Sequence, residues 1–467
     1  MGAMPGTDRS SGPAAAAGTA RDGARWLLPA GAALLVVVLA VCAADYAAHL
    51  SSLAAMRDLV VYRNGGLIVR HIAPAYDGHR ASPLYDWSGQ HGVQFTYPPF
   101  AAVVFAVTSV LSWTAMRAVM TAASLAALGL SLWLVFGALG YAGRPRVRLG
   151  ATFGVAALAL LLEPVQQTLS LGQVNLLLML LVAADLLTAS KLSSQTRWWH
   201  GIGIGLAAGV KLTPLIFIPY LLLTRAYRQA ATAAATFAAT VALGYAVLPG
   251  DSNRYWVHRL FLNANRIVFL GTRGNQSVRG TLARLAGSVA SGTVPWAVAA
   301  IVVVLAGLAA AAVLHRAGHP VAGMLACALT GLLVSPLSWD HHWVWVAPAI
   351  ALLAHMGARA RGAQRAAWWA AAGGLTGVFG AWPQFWASRA GLTPAGLFWY
   401  GPATYYATGD RPWYHEFHWH GLQLLAGNSF VLAGLAALAV LCVAAFRMRH
   451  RLDRTAHPDA AYRDAIR

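Results

Sequence analysis

The sequence contains a series of apolar runs long enough to cross a lipid bilayer, and this feature limits the chain to a membrane protein. A membrane-spanning helix needs about 20 mainly apolar residues. Of the 467 residues, 58% are hydrophobic and only 10% are charged, whereas a soluble globular protein has about 25% charged residues. This composition excludes a soluble enzyme, a secreted disulfide scaffold and a nucleic-acid-binding module. The net charge of +19 would suggest nucleic-acid binding in a soluble protein, but not in a chain of membrane-spanning runs. We predict an all-α polytopic membrane protein.

The runs are separated by short polar or basic segments. Two of the longer stretches leave alternatives open: 98–140 either crosses once with a bent or re-entrant part or forms a hairpin, and 198–224 is broken near 211–214 and could be two short helices. The remaining predicted spans are 26–48, 149–163, 173–189, 228–248, 294–314, 320–335, 343–358, 366–386 and 422–446.

Arginine clusters orient these runs, because basic residues accumulate on the cytoplasmic side of membrane proteins. The clusters at 144–148, 225–228, 359–365 and 447–451 predict cytoplasmic termini and about 12 transmembrane helices. A hairpin at 98–140 would place the first cluster outside. We therefore expect a disordered cytoplasmic tail at 1–25, a membrane-embedded domain at 26–446 and a second cytoplasmic tail at 447–467.

Three long segments then lie on the outer face, at 49–97, 249–293 and 387–421. Connections between bundle helices usually have two to eight residues, and much longer loops are usually functional or disordered. These three segments are rich in Trp, Tyr, His, Arg and Asn. We therefore expect recognition or chemistry on the outer face.

Acidic residues are scarce, which leaves few candidates for a general base. Of the 15 Asp and Glu residues, Asp58 is prominent because it follows the first span and would lie at the membrane–water boundary. A partly desolvated carboxylate there has a raised pKa and suits proton transfer. The alternative is a surface carboxylate paired with Arg57 or Arg63.

Isolated polar groups occur inside apolar sequence. Lys211, one of only two lysines, is a candidate partner for a lipid phosphate, because a charge inside a membrane segment is a functional hypothesis by default. A salt bridge to Asp185 or Glu163 is the alternative. Gln173 and Asn175 open an apolar run and would bind sugar hydroxyls or, equally, neighbouring helices.

The segment 335–345 contains adjacent histidines, His341 and His342, among tryptophans. Neighbouring helical side chains diverge by about 100°, so this pair is a poor metal chelate and lacks the spacing of metalloprotease helices. We interpret it as a hydrogen-bonding pair for sugar or phosphate. The segment 249–293 has an arginine set that would receive an anionic headgroup or simply adhere to lipid: Arg254, Arg259, Arg266, Arg273, Arg279 and Arg284.

These motifs, in this order, resemble the polyprenol-phosphate-mannose-dependent alpha-1,2-mannosyltransferase family of actinobacteria, the PimE-like group with the GT-C glycosyltransferase fold. The resemblance covers most of residues 50–350. It rests on Asp58-Leu59-Val60-Val61-Tyr62, Leu84-Tyr85-Asp86, Phe95-Thr96-Tyr97-Pro98-Pro99-Phe100, Gly172-Gln173-Val174-Asn175, Lys211-Leu212-Thr213-Pro214 and Ser335-Pro336-Leu337-Ser338-Trp339-Asp340-His341-His342-Trp343.

The resemblance implies a membrane mannosyltransferase of the cytoplasmic membrane, active on its outer face without metal or other cofactor. It would move mannose from polyprenyl-phosphate-mannose to a phosphatidylinositol mannoside or related lipoglycan, with inversion and an alpha-1,2 linkage. Asp58 matches the general base. The expected donor-binding residues are Lys211, His341, His342, Gln173, Asn175, Tyr62 and Tyr97, and the expected acceptor-binding residues are Arg63, Arg259, Arg266 and Arg273.

Two alternatives remain at this stage. Relatives on the same scaffold use polyprenyl-phosphate-arabinose, so an arabinofuranosyltransferase would have a similar sequence. A lipid or sugar transporter would have related halves and charges near the bilayer midplane, and we find no clear internal repeat.

Overall fold

The computed structural model describes residues 13–48, 56–71, 84–85, 94–188, 199–263, 270–382, 396–400 and 415–456. Within these ranges the chain is mainly helical and contains no extended strand, and isolated bridges join Leu162 with Gly380 and Asn275 with Trp339. The all-α prediction is therefore confirmed for the described residues. The α-helices are α1 Pro13–Ala48, α2 Arg57–Val69, α3 Pro99–Thr108, α4 Trp113–Phe136, α5 Pro145–Ala159, α6 Glu163–Leu171, α7 Asn175–Thr188, α8 Ile202–Val210, α9 Phe217–Leu223, α10 Tyr227–Val247, α11 Pro249–Ser252, α12 Val278–Leu285, α13 Thr293–Arg316, α14 Pro320–Val334, α15 Val346–Arg359, α16 Gly362–Phe379, α17 Leu422–Gly427 and α18 Ser429–Ala456.

Several helices are long and apolar enough to cross a membrane. In the described part of the chain there are five, or six if the bent pair α6–α7 forms one span. Shorter apolar helices occur at Pro99–Thr108, Thr213–Leu223 and Pro320–Val334. The chain is thus a multi-pass membrane protein, and the total of about 12 crossings stays a prediction. The long apolar segments are Trp26–Ala44, Trp113–Tyr141, Tyr227–Val247, Thr293–Arg316 and Ser429–His450.

The first helix differs from the sequence-based prediction at its start. It begins at Pro13, so residues 13–25, which we expected to be disordered, are helical. Alanine dominates this stretch, and alanine has the highest intrinsic helix propensity. The helix propensity of the alanines therefore outweighs the polar composition that suggested disorder.

Both stretches predicted to be interrupted are broken. In 98–140, α3 ends at Thr108 and α4 begins at Trp113, where the Ser112 hydroxyl caps the helix by accepting from the Ala115 N–H at 3.3 Å. In 198–224, α8 ends at Val210 and Lys211 is extended, with φ of −150°. Pro214 follows in a 3-10 turn, Thr213–Ile216. Proline has no N–H to continue the α-helix, so the break leaves Lys211 between two helices.

Glycine allows α2 to lie directly against α3. A side chain at Gly66 would come within 2.4 Å of the Phe105 carbonyl oxygen. The close approach lets the Tyr62 ring stack on Phe105, with ring centroids 4.1 Å apart. This packing fixes the face of α2 that bears Asp58 and Tyr62.

A sharp bend between α6 and α7 brings two amide side chains to the same region. Gly172 ends α6 with φ of +68°, a left-handed conformation that favours glycine. The two helices meet at 115°, and Gln173 and Asn175 lie at this corner. A Cβ on Gly172 would sit 2.7 Å from the Cβ of Leu59, so the corner packs directly on α2.

Candidate active site

Asp58 lies in the first turn of α2 and is held by Gln173. The Gln173 Nε2 group donates a short hydrogen bond to Asp58 Oδ2. Tyr62, one helical turn after Asp58, donates from its hydroxyl to Gln173 Oε1 at 2.6 Å. Because the tyrosine occupies the carbonyl end of the amide, the amino end must face Asp58. The amide therefore orients the carboxylate.

Tyr97 completes this network. Its hydroxyl oxygen lies 2.9 Å from that of Tyr62 and accepts from Gln173 Nε2 at 3.0 Å. Its backbone carbonyl accepts a hydrogen bond from the Tyr85 hydroxyl at 2.9 Å. Four of the predicted residues thus form one cluster: Asp58, Tyr62, Tyr97 and Gln173. The alternative, a pairing of Asp58 with Arg57 or Arg63, is not among the described contacts of Asp58.

Removing the Gln173 amide tests this orientation. We expect Gln173→Leu to lower kcat/KM about tenfold, the effect of one lost hydrogen bond to a charged group. The hydrogen bond from Gln173 lowers the pKa of Asp58, so its loss also moves the acidic limb of the pH–rate profile to higher pH. Steady-state kinetics across pH measures both effects.

Gln167→Leu is the matched control, because Gln167 lies on α6 and its described side-chain hydrogen bond is a local one, from Ser170. An unchanged pH profile in Gln173→Leu would contradict the orienting role.

Lys211 reaches two of the predicted partners. Its Nζ donates to Asn175 Oδ1 at 2.9 Å and to His342 Nε2 at 2.8 Å, and it lies 5.8 Å from the centroid of the Tyr97 ring. An ammonium group has three donors, so these two contacts leave one for a ligand.

The alternative reading of Lys211 as a structural salt bridge is wrong. Asp185 accepts from the backbone N–H of Ile204 at 2.8 Å, and Glu163 accepts from the Trp399 indole at 3.3 Å. Neither carboxylate is a described partner of Lys211. The lysine is therefore held by neutral groups, an amide and an imidazole.

The two adjacent histidines face different partners. His342 accepts from Lys211, whereas His341 Nδ1 lies 3.0 Å from Asp340 Oδ1. They belong to a 3-10 helix, Asp340–Trp345, whose chain is held by α6 and α7. The His341 carbonyl accepts from the Thr168 hydroxyl at 3.1 Å and from Asn175 Nδ2 at 2.8 Å. The described residues contain no group of three or more His, Cys, Asp or Glu placed to hold a metal ion.

The electrostatics of Asp58 link these parts into one site. Burial raises the pKa of Asp58 above its ordinary value of 3.8. His341, the hydrogen bond from Gln173 and the charge of Lys211 act in the opposite direction, and Asp340 adds to the increase. A carboxylate, a lysine and a histidine from distant parts of the chain are therefore close enough to influence one another.

A cavity extends from Lys211 into the apolar interior. Asn175, Lys211 and His342 line its polar end. The rest of its wall is mainly apolar and comes from α7, the 213–217 turn and α14, with Leu178, Met179, Val182, Ile216, Phe217 and Leu332 among the lining residues.

The predicted acceptor arginines lie in different local settings. Arg273 packs on the Trp399 ring at 4.2 Å and donates to the Trp399 carbonyl at 3.0 Å. Arg63 is half-buried on α2, Arg259 is exposed before a 3-10 turn at Leu260–Leu262, and Arg266 lies outside the described residues.

Arg284 corrects the reading of the wider arginine set as a headgroup surface. It is 2% exposed. Its guanidinium donates to Asn428 Oδ1 at 2.6 and 3.0 Å and to the carbonyls of Thr272 and Asn275 at 2.8 and 3.2 Å. Asn275 and Gln276, which precede it in the same segment, are also fully buried. Asn275 Oδ1 accepts from the Ser338 backbone at 3.0 Å, so these residues support the 335–345 segment.

The sequence did not indicate the contacts that Glu163, Asp340 and Trp399 make beside the site. Glu163 is fully buried at the first turn of α6, and its only sequence signal was a carboxylate before a proline in apolar sequence. Asp340 was noted only within its motif. Trp399 lies in a segment where no motif was found.

Known proteins are similar to this chain over most of its length. Residues 95–336, about half of the chain, match glycosyltransferase family 87. A Mycobacterium tuberculosis protein named polyprenol-phosphate-mannose-dependent alpha-(1-2)-phosphatidylinositol mannoside mannosyltransferase is 33% identical over 65% of this chain and 71% of its own length.

Two further relatives are each named polyprenol-phosphate-mannose-dependent alpha-(1-2)-phosphatidylinositol pentamannoside mannosyltransferase. The one from Mycolicibacterium smegmatis is 34% identical over 81% of this chain and 84% of its own. The one from Mycobacterium tuberculosis is 33% identical over 87% of both chains. No solved structure matches the chain significantly. The resemblance read from the motifs is thereby confirmed, and the chain belongs to glycosyltransferase family 87 as a multi-pass membrane glycosyltransferase.

Proposed function

We propose that this chain transfers mannose from polyprenyl-phosphate-mannose to a phosphatidylinositol mannoside or a related lipoglycan, forming an alpha-1,2 linkage with inversion. The names of its relatives support the choice of donor, acceptor and linkage. The observation that carries the proposal is the joint placement of Asp58 and Lys211 in one cluster. A general base and a cation for a phosphate are the two groups that this reaction needs.

Asp58 acts on the acceptor. A sugar hydroxyl is a weak nucleophile, and a positioned carboxylate that takes its proton in the transition state contributes about 10²–10⁴-fold. The acceptor oxygen bonds to the anomeric carbon, the bond from that carbon to the phosphate oxygen breaks, and the proton goes to Asp58. A single displacement of this kind inverts the anomeric centre.

Lys211 acts on the leaving group. The phosphate gains negative charge as its bond to the sugar breaks, and a cation already in place stabilises that charge. His341 adds a second group, because its Nε2 is buried and has no described partner. We propose that the reaction needs no metal, since a lipid phosphate is already a good leaving group and Lys211 supplies positive charge. The apolar cavity beyond Lys211 would receive the first part of the isoprenoid chain.

The acceptor side and the membrane face belong to the same proposal. Arg63, Arg259, Arg266 and Arg273 would bind the anionic acceptor. Arg273 donates to the carbonyl of Trp399, whose indole donates to Glu163. The arginine clusters that we predict to be cytoplasmic support an active site on the outer face of the cytoplasmic membrane.

The ionisation of Asp58 predicts the acidic limb of the pH–rate profile. Only the carboxylate accepts a proton, so activity falls as pH decreases through the pKa of Asp58. Because burial raises this pKa above 3.8, we expect the loss of kcat/KM to begin at a higher pH than for an ordinary aspartate. Initial rates across pH, with the donor in detergent micelles, measure the limb. An acidic limb at or below the ordinary value would contradict a buried base.

The donor sugar is tested directly with purified protein. We expect labelled mannose, but not arabinofuranose, to pass from its polyprenyl phosphate to an added phosphatidylinositol mannoside, and linkage analysis of the product to give a 1,2 bond. Transfer of arabinofuranose alone would replace the mannose proposal. Flux of labelled lipid across vesicles without any sugar product would replace the transferase mechanism.

A further inference from the structure

Two buried carboxyl groups meet beside the candidate active site. Glu163 is 0% exposed and Asp340 is 4% exposed. The two side chains are close enough to share a hydrogen bond. They come from the start of α6 and from the 3-10 helix at 340–345, two elements that pack on each other.

Each of the two carboxyl groups also accepts hydrogen bonds from neighbouring residues. Glu163 Oε1 accepts from the Trp399 indole N–H at 3.3 Å. Asp340 Oδ1 accepts from the His341 backbone N–H at 2.8 Å and lies 3.0 Å from His341 Nδ1. Glu163 Oε2 is buried and receives no N–H or O–H donor from another described residue.

Two ionised carboxylates in contact repel each other, and burial removes the water that would screen them. Such pairs hold one proton between them, as a carboxylic acid that donates to its neighbour. A proton on this pair would also satisfy the otherwise unpartnered Glu163 oxygen. Asp340 Oδ1 then remains the acceptor in its two contacts with His341.

We propose that Glu163 is a positioning residue for the transfer reaction. A proton shared between Glu163 and Asp340 fixes the orientation of the Asp340 carboxyl group. Asp340 in turn orients the His341 imidazole beside Asp58. This role rests on the proposed function, in which His341 helps to stabilise the leaving phosphate. Glu163 itself touches neither reacting group.

The surrounding packing makes this orientation specific. Besides Glu163, α6 provides Thr168, which binds the His341 carbonyl, and Asn175 of α7 binds the same carbonyl. The backbone of His341 is therefore held independently of its ring. Removal of Glu163 frees the Asp340–His341 side-chain pair and the Trp399 indole, but not the His341 backbone.

The kinetic test compares three variants. Glu163→Ala is expected to lower kcat at least about tenfold, with little change in KM for the donor, because it acts on the chemical step rather than on binding. Glu163→Gln carries an amide N–H that can donate to Asp340 as the shared proton does, so it restores most of the lost activity. Gln167→Ala, on the same helix, is the control for general disturbance of α6. Equal losses in Glu163→Gln and Glu163→Ala would overturn the proposal, as would full activity in Glu163→Ala.

An infrared measurement tests the shared proton without any turnover. The difference spectrum between wild type and Glu163→Gln is expected to contain the C=O stretch of a buried protonated carboxyl group, shifted by exchange into heavy water. Absence of this band would overturn the proposal even where Glu163→Ala fails to fold. If the wild type transfers no mannose while the band is present, the proposed function fails and the carboxyl pair stands.

Discussion

Changing Asp58 to asparagine is expected to lower kcat by about 10²–10⁴-fold, the contribution of a positioned general base. Asparagine has nearly the same shape as aspartate, so the packing of α2 on α3 is retained. Its amide cannot take a proton from the acceptor hydroxyl. We therefore expect near-normal thermal stability and near-normal binding of the donor lipid, with product formation almost lost in a radiolabel transfer assay.

Asp251→Asn is a suitable control for Asp58→Asn. It makes the same chemical change in another of the segments predicted to lie on the outer face. Asp251 lies on α11, a helix that adds no described side chain to the Asp58–Lys211 cluster. We expect this control to keep wild-type turnover. Turnover of Asp58→Asn within a few-fold of wild type would remove Asp58 from the role of base, and the family assignment would stand without it.

Lys211→Met is expected to lower kcat/KM by about 10²–10³-fold, the range seen when one preorganised group that stabilises transition-state charge is removed. Methionine fills a similar volume without a charge. Methionine does not carry the desolvation cost of a buried ammonium group, and this offsets the lost attraction between Lys211 and the Asp58 carboxylate. We therefore expect the melting temperature of this variant to be unchanged or higher, while activity falls.

Arginine is not expected to rescue this position. Lys211 Nζ lies at a single point between Asn175 and His342, whereas guanidinium is a planar fork with different hydrogen-bond directions. Lys191→Met, the same change at the only other lysine in the sequence, is the control. Equal transfer rates for Lys211→Met and Lys191→Met would show that Lys211 does not stabilise the leaving phosphate.

The effects of these substitutions separate the two halves of the reaction. Asp58→Asn removes the acceptor's base, and Lys211→Met removes the charge that faces the phosphate. The Asp58 carboxylate is itself stabilised by Lys211, so the two changes are not independent. Interaction energies between such neighbours are expected, and the double variant should lose less activity than the product of the single losses.

Much of the fold was predictable because it depends on local sequence. Runs of apolar residues form helices in a membrane, since every backbone polar group must be satisfied within the segment. The break at Lys211 follows from the nearby Pro214, and the corner at Gly172 follows from a residue that tolerates positive φ. Candidate residues such as Asp58 and Lys211 were visible because charge is rare in apolar sequence.

The arginine set at 249–293 shows where local reasoning fails. Arg284 has the same residue type and a similar sequence setting to Arg273, yet it is buried among backbone carbonyls and Asn428. A loop that folds onto itself can supply enough acceptors to bury a guanidinium. Nothing in the spacing of the arginines indicates which one is enclosed.

The sequence by itself determined the membrane class, the helical content, the family and the identity of the base and lysine candidates, because these depend on composition, periodicity and ordered motifs. Only the tertiary structure decided which polar groups meet. Asp58 and Gln173 are 115 positions apart, Lys211 and His342 are 131 apart, and Glu163 and Trp399 are 236 apart. Such pairings depend on how buried donors and acceptors find partners when helices pack, a three-dimensional requirement that no local pattern records.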